Sequence, residues 1–496
     1  MRPYHFVLAL CAGMAAAGGF APWNLFPAPV VALALLFYLL MQTHTPRRAA
    51  WLGFAFGLGL FGTGVSWIYI ALHDYGYMPM PLAFLATALF VALLALFPAL
   101  AAYAYGRIAV PRWAQTALLL PALWVAAELL RGYLFTGFPW LALGYSQTAS
   151  PLAGYAAILG VYGVSFLVAL SGGALTMLAH QPKARPGQIV ASIIVMLWLG
   201  GAFLQHVAWT QPLGAPIKVS LLQGNIAQDE KFDESQLVST LEDYRREIFD
   251  SDARLIVLPE TAFPLLRNEV PENYTRLLAE HARKLDGDIL IGAFEREQDH
   301  YYNSMYSVGA SPSQHYRKSH LVPFGEFIPL RPLLGWLIND VLNIPMSDLA
   351  SGGFHQPLLE LAGQHIAMNI CYEDVFGEEI IRALPQATLL LNASNDAWYG
   401  NSAAALQHNQ ISQMRALESG RMMLRATNTG VTSVIGSDGR ILHMLPQHQP
   451  GTLTAEVQGY TGSTPYVRWG NWAIALLLLG TAALLWKIRA PGARHA

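Results

Sequence analysis

The sequence predicts a polytopic α-helical membrane domain of about eight transmembrane helices joined to an extramembrane α/β sandwich. Three observations carry this expectation. Of 496 residues, 54% are hydrophobic and only 12% are charged, far from a soluble composition. The apolar residues gather into segments of roughly 20 residues, long enough to cross a bilayer as helices, before position 208 and again near the C-terminus. Between them runs a long polar region, 211–464, in which strand-like and helix-like stretches alternate.

By length the apolar segments are 4–21, 27–43, 50–72, 80–105, 114–131, 152–180, 188–207 and 468–488. Arg2, the apolar run after it and Cys11 have the outline of a cleaved leader, but Leu10 is bulky where a small residue belongs, so the first segment reads as a retained helix. Basic residues fall in alternate loops: Arg47 and Arg48, Arg107 and Arg112, Lys183 and Arg185, then Lys487, Arg489 and Arg494. Loops 21–26 and 73–79 carry none. Short basic loops stay in the cytoplasm, which puts both termini there and the polar region on the far side, the periplasm of a bacterium. The expected organisation is a membrane domain over 1–210 with seven of the helices, a catalytic domain over 211–464, and the last helix with a cytoplasmic tail over 465–496. The net charge of −2 and the lack of a basic tract argue against a nucleic-acid partner.

Within the fifth segment Glu128 and Arg131 are three apart and share a helix face, where they can pair. The aromatic, nearly uncharged stretch 132–147 that follows, with Phe135, Phe138, Trp140 and Tyr145, reads as an element lying at headgroup level.

In the polar region, strands are expected at 217–222, 255–258, 289–294, 304–308, 366–370, 387–391, 431–435 and 440–444, the last two joined by a hairpin through Ser437-Asp438-Gly439. Helices are expected at 237–249, 272–285 and 404–423. The stretch 328–356, rich in Pro, Gly and large apolar residues such as Trp336 and Phe354, reads as a long functional loop and a candidate lid.

Cys371 ends the apolar strand 366–370 and is followed by Glu373 and Asp374. The other cysteine, Cys11, lies in a hydrophobic segment, so Cys371 reads as a free thiol in an oxidising compartment. A buried structural cysteine is the plain alternative. A free thiol with a pKa of roughly 8.5 is mostly protonated at neutral pH. A carboxylate such as Glu260, just after strand 255–258, can take its proton, and an ammonium such as Lys318 can stabilise both thiolate and oxyanion. Taken singly, Glu260 reads as a solvated loop residue and Lys318 as a surface charge; together the three form a complete acyl-transfer set. No Gly-x-Ser-x-Gly elbow, His-Glu-x-x-His site or dinucleotide or phosphate loop occurs, and neither metal nor cofactor is expected.

Pro259-Glu260, the Tyr316-Arg317-Lys318 stretch leading to Val322-Pro323-Phe324-Gly325-Glu326, and Cys371-Tyr372-Glu373 resemble the motifs of the nitrilase (carbon-nitrogen hydrolase) superfamily. With membrane segments around such a domain, and with Trp124, Glu128 and Arg131, Gly137-Phe138-Pro139-Trp140, Gly144-Tyr145-Ser146 and Thr464-Pro465-Tyr466, the chain is similar over nearly its whole length to the apolipoprotein N-acyltransferase family. The resemblance implies an αββα domain and a ping-pong reaction. The sn-1 acyl chain of a phospholipid would pass through a Cys371 thioester to the N-terminal amine of a diacylglyceryl-cysteine apolipoprotein. It implies Glu260 as base, Lys318 at the oxyanion, Glu326 as a second acid, and Tyr372 and Glu373 shaping the site. Phe232, after Gln228 and Lys231, stands where the resemblance leads to a Trp in the acyl pocket. Arg415, Ala416 and Glu418 read as scaffold. Two alternatives accompany this reading: a membrane-tethered amidase using the same triad on a small C–N substrate, and a transporter or lipid-binding protein with an inactive nitrilase-like module.

Overall fold

The computed structural model describes residues 3–43, 45–180, 185–328 and 348–488. The chain forms two compact units, one of Met1–Tyr69, Pro81–Val207 and Arg468–Ala496, the other of Ile70–Met80 and Ala208–Val467.

The first unit is built from α1 (Tyr4–Ala17), α2 (Pro27–Met41), α3 (Pro46–Gly64), α4 (Met80–Tyr105), α5 (Leu120–Tyr133), α6 (Ala156–His180), α7 (Arg185–Leu204) and the C-terminal helix Trp472–Lys487. Each expected apolar segment is thus helical, and among the described residues fewer than eight of them meet the length criterion for a span. Three stretches, Met80–Tyr105, Arg112–Thr136 and Pro151–His180, are long and apolar enough to cross a membrane. A fourth arises only by joining Pro46–Gly64 to Ile68–Tyr75 across a break, and Tyr4–Ala17, Pro27–Met41 and Trp472–Lys487 are shorter. In the first three helices punctuation by Gly and Pro sets the bounds: α1 runs into Gly18, and α2 and α3 begin at Pro27 and Pro46. At 1.5 Å per residue, a helix of about 14 residues rises roughly 21 Å against a hydrocarbon core of about 30 Å.

Small residues let these helices touch. A Cβ on Gly13 of α1 would sit 2.0 Å from the Phe56 carbonyl oxygen of α3, and one on Gly59 of α3 would sit 2.0 Å from that of Leu10 in α1. Most of the stretch 132–147 packs inside the protein. Only its start is exposed, Phe135 at 75%, whereas Trp140, Leu143, Tyr145 and Gln147 are buried. Glu128 and Arg131 hold it in place. Glu128 accepts from Trp124 Nε1 and from the Leu143 amide, both at 2.9 Å, and Arg131 donates to the carbonyls of Phe138 and of Trp140, the latter at 2.5 Å. A polar pair on one helix face thereby satisfies loop backbone inside an apolar unit.

The second unit holds two six-stranded sheets. The first contains β1 (Thr210–Gln223), β2 (Leu255–Val257), β3 (Asp288–Glu297), β4 (His300–Gly309) and β5 (His315–Arg317), with β12 (Gly451–Gly462) at its other edge, in the order β12-β1-β2-β3-β4-β5. The second contains β6 (Leu359–Leu361), β7 (Gln364–Ile370), β8 (Leu389–Ser394), β9 (Met423–Thr427), β10 (Ser433–Ile435) and β11 (Ile441–Met444), in the order β11-β10-β9-β8-β7-β6. Each is a parallel trio, β1-β2-β3 or β7-β8-β9, flanked by antiparallel strands. The helices α8 (Glu234–Asp250) and α9 (Glu272–Lys284) pack Tyr244, Ile248 and Leu278 on Leu222, Ile256, Ile289 and Ile291 of the first sheet. On the second, Ala416 of α10 (Ala404–Ser419), Ile380 and Leu384 pack on Ala367, Leu390, Met423 and Ile435. The period-2 alternation turns the opposite strand faces toward the other sheet, where β1 meets β9 and β12 meets β8, so the layers run αββα.

One expected helix ends early and a strand not foreseen follows it. The helix predicted over 404–423 stops at Ser419 because Gly420 adopts a left-handed cap, φ 64°, after which 423–427 becomes the inner strand β9. Of the expected lid 328–356, residues 329–347 lie outside the described residues.

Gly292 of β3 lies against the turn that follows β2. A Cβ there would come within 2.3 Å of the Pro259 carbonyl oxygen and 2.5 Å of the Thr261 amide nitrogen, both rigid backbone. Gly292→Ala is expected to destabilise by about 1–3 kcal/mol, read as a lower midpoint in thermal melts of the detergent-solubilised protein. Gly62→Ala, whose Cβ meets nothing closer than 3.9 Å, serves as the control; equal midpoints for the two variants would refute this.

Candidate active site

The parallel strands deliver three polar turns to one end of the sandwich. After β2 the chain passes through Leu258 and Pro259 into a turn carrying Glu260, which is buried. The Glu260 Oε1 accepts from Asn303 Nδ2 of β4 at 2.7 Å and lies 3.5 Å from Lys318 Nζ, while Oε2 accepts from the Asn395 amide beyond β8 at 2.8 Å. Lys318 follows β5 and is 1% exposed. Its amide donates to the Asn303 carbonyl at 2.8 Å, and its ammonium donates to Glu326 Oε1 at 2.9 Å. Glu326 in turn accepts from the Val322 amide through Oε2 at 2.8 Å. Burial alone would lower the Lys318 pKa, but the charges of Glu326, Glu260 and Cys371 outweigh it and hold the ammonium well above its ordinary value.

Cys371 is the first residue after β7, opens the 3-10 turn Cys371–Val375, and has φ 53°. A non-glycine residue in that region carries backbone strain of order 1–3 kcal/mol, kept where surrounding contacts over-determine it. Here they do: the Cys371 carbonyl accepts from Asn392 Nδ2 at 2.9 Å and contacts His408 Nε2 at 3.2 Å. Burial pushes the thiol pKa up, the Glu260 charge adds to that, and Lys318 opposes it. Glu260, Lys318 and Cys371 therefore act on one another electrostatically, and Glu326 joins them through Lys318.

Glu373 is a strut rather than a free acid. Its Oε1 accepts from the amides of Ser319 and His320 at 2.6 and 3.0 Å; its Oε2 accepts from the Ile370 amide at 2.5 Å and the Tyr316 hydroxyl at 3.0 Å. Burial nevertheless pushes its pKa up to about 7, with those amides pulling back. Tyr372 is buried, its ring 5.3 Å from that of Phe376. Phe232 is 56% exposed, with its ring 6.4 Å from that of Phe294. Arg415 and Glu418 form a buried pair at 3.1 Å on α10.

Several residues to which sequence reasoning gave no role complete the site. Asn303 and Asn395 orient Glu260, Gln228 accepts from Asn395 Nδ2 at 2.7 Å, and Lys231 donates to the Glu260 carbonyl at 3.1 Å. Under Cys371 lies a buried charge cluster: His408 bonds Asp374 through Nε2 at 2.8 Å and Asp396 through Nδ1 at 2.9 Å, and Arg425 contacts Asp374 at 2.9 Å and Asp396 at 3.5 Å. Burial would lower the His408 pKa and Arg425 opposes its charge, yet Asp374 and Asp396 push it up to about 9. The signal for this cluster was the polar run 392–396 straight after an apolar strand. What a one-dimensional reading lacked was the placement of His408 and Arg425.

A buried carboxyl whose folded pKa is about 7, against an ordinary 4.5, binds its proton more tightly folded than unfolded. It thus favours the fold while protonated, and that contribution is lost as pH rises from near 4.5 through 7. Wild-type melting midpoints should fall between pH 5 and 8 by a component that Glu373→Gln lacks; parallel pH profiles for the two proteins would contradict the assignment.

Residues 12–174 match the family described as apolipoprotein N-acyltransferase N-terminal domain, and residues 218–466 match carbon-nitrogen hydrolase. The chain is 51% identical to apolipoprotein N-acyltransferase of Nitrosomonas europaea over 99% of both chains, and 42% identical to that of Methylococcus capsulatus over 97% of this chain and 96% of the other. A solved CN-hydrolase superfamily protein of Xanthomonas campestris aligns over 54% of this chain and 97% of its own, at 17% identity and a TM-score of 0.36. With both of its halves matched in this way and whole-length relatives at this identity, the chain belongs to the apolipoprotein N-acyltransferase family.

Proposed function

We propose that Cys371, Glu260 and Lys318 carry a two-step acyl transfer in lipoprotein maturation, the activity of the family to which the chain belongs. The observation that supports it most directly is the coupling of the three groups, with Lys318 Nζ 3.5 Å from Glu260 Oε1 and 2.9 Å from Glu326 Oε1, and with the Cys371 thiol responding to both Glu260 and Lys318.

In the first half-reaction Glu260 takes the thiol proton and the thiolate attacks the sn-1 ester carbonyl of a phospholipid such as phosphatidylethanolamine. Lys318 stabilises the oxyanion. The ester C–O bond then breaks, Glu260 returns the proton to the leaving oxygen, and a lysophospholipid departs from the thioester. In the second, the α-amino group of a diacylglyceryl-cysteine apolipoprotein attacks the thioester, gives a proton to Glu260, and the C–S bond breaks to restore the thiol. Glu326 fixes Lys318, Glu373 and Tyr372 shape the turn bearing the nucleophile, and Phe232 lies at the rim as acyl-contacting surface.

Both substrates are lipids, which gives the apolar helices a purpose beyond anchoring. Extracting an acyl chain into water would cost about 0.8 kcal/mol per CH₂. As a member of this family the chain is a bacterial inner-membrane protein. The alternation of basic loops supports a periplasmic catalytic domain over 211–464 and cytoplasmic termini.

Purified protein incubated with phospholipid alone should gain the mass of one fatty acyl chain on the Cys371 peptide, absent in Cys371→Ala and discharged by a diacylglyceryl peptide. Lys318→Met should slow formation of that adduct by about 10²-fold or more. No adduct would overturn the proposal, and one cleared by water without the peptide would point to a hydrolase.

A further inference from the structure

Lys231 lies in the loop between β1 and α8, is 5% exposed, and has no part in the two half-reactions above. Its ammonium donates to the Glu260 carbonyl at 3.1 Å, and among the described residues it has no carboxylate within ion-pair distance. An ammonium buried with so few partners is expensive and persists where a negative charge awaits it. The charged and titratable groups that act on it are Glu260, from the turn after β2, and Cys371, from the end of β7. Burial pulls its pKa down, those two groups oppose it, and the net is a lowering to about 8.

Lys318 is held between two carboxylates, at 2.9 and 3.5 Å, so Lys318, Glu260 and Glu326 together carry one excess negative charge. Moving the Cys371 proton to Glu260 leaves that sum unchanged but places the charge on sulfur, and attack on an acyl carbonyl places it on the oxyanion. A second positive charge brings the cluster to zero.

We propose that Lys231 is a second, charge-compensating cation of this site, held at the backbone of Glu260 so that it stabilises the Cys371 thiolate and the oxyanion that follows, while Lys318 is engaged by its two carboxylates. The proposal rests on Cys371 being the nucleophile and adds a partner to it. Lys231 acts through Glu260 and Cys371 as a positioning residue and exchanges no proton with substrate in either step.

The test is the pH dependence of Cys371 alkylation by iodoacetamide in full-length, detergent-solubilised protein, in a Cys11→Ala background because Cys11 is exposed. Lys231→Met should need a pH higher by about one unit for the same rate, roughly a tenfold slower reaction at pH 7. Lys231→Arg, whose cation does not titrate in this range, should keep the wild-type onset and hold its phospholipid acylation rate above pH 8, where the wild type declines. Superimposable alkylation profiles for wild type and Lys231→Met would overturn the proposal. So would an acylation rate in Lys231→Arg that declines with the wild type above pH 8. If instead wild-type Cys371 forms no acyl adduct with phospholipid, the reading of Cys371 as nucleophile fails; a wild type that acylates normally beside an indifferent Lys231→Met removes only the role of Lys231.

Discussion

Two buried carboxylates tie one sheet of the sandwich to the other, and the candidate site depends on both. Glu260 stands on the first sheet yet accepts from the Asn395 amide at the end of β8 in the second. Glu373 stands on the second sheet yet accepts from the Ser319 and His320 amides beyond β5 of the first. Charge-assisted bonds of this kind are strong in a low dielectric, and an unmade one is costly there, so the sheets are held in one registration. Cys371 sits at that seam.

The same logic explains the strained turn. Cys371 keeps a left-handed backbone because its carbonyl is gripped from below by Asn392 and His408, and His408 is itself fixed between Asp374 and Asp396. With Arg425 the cluster holds two carboxylates against two cations, which is how four charges tolerate complete burial. None of these groups needs to touch substrate. Their effect is to hold the backbone of Cys371, and a fixed thiol is what the proposed acyl transfer would use.

In the helical unit a comparable device appears in an apolar setting. Glu128 and Arg131 direct their polar atoms to the backbone of the loop 138–143, whose amides and carbonyls would otherwise lie unsatisfied. Small residues then allow α1 and α3 to approach backbone to backbone. These buried ionisable residues serve here as fasteners.

Residues and their spacing were enough to locate every apolar helix, most of the strands, and the three groups proposed for chemistry, because hydrophobic periodicity and strand-end polarity are local properties. Helix length was not local in this sense: Gly18 ends the first apolar helix and Pro27 opens the second, so both are shorter than the segments that the composition outlines. Strands β5, β6, β9 and β12 escaped notice because they are very short, lie directly beyond a helix, or are polar along one face at a sheet edge. Pairing with a neighbour, which no single stretch reveals, makes them strands. Likewise Asn303, Asn395, Lys231, His408 and Arg425 are unremarkable in one dimension. Folding brings Asn303, Asn395 and Lys231 to Glu260, His408 to the Cys371 carbonyl, and Arg425 to the carboxylates that hold His408, and only there do burial and charge give them a role. The sequence by itself determined the apolar helices, most of the strands and the groups proposed for the chemistry; the tertiary structure decided which groups hold those in place, since burial and hydrogen-bond partnership are properties of the packed chain alone.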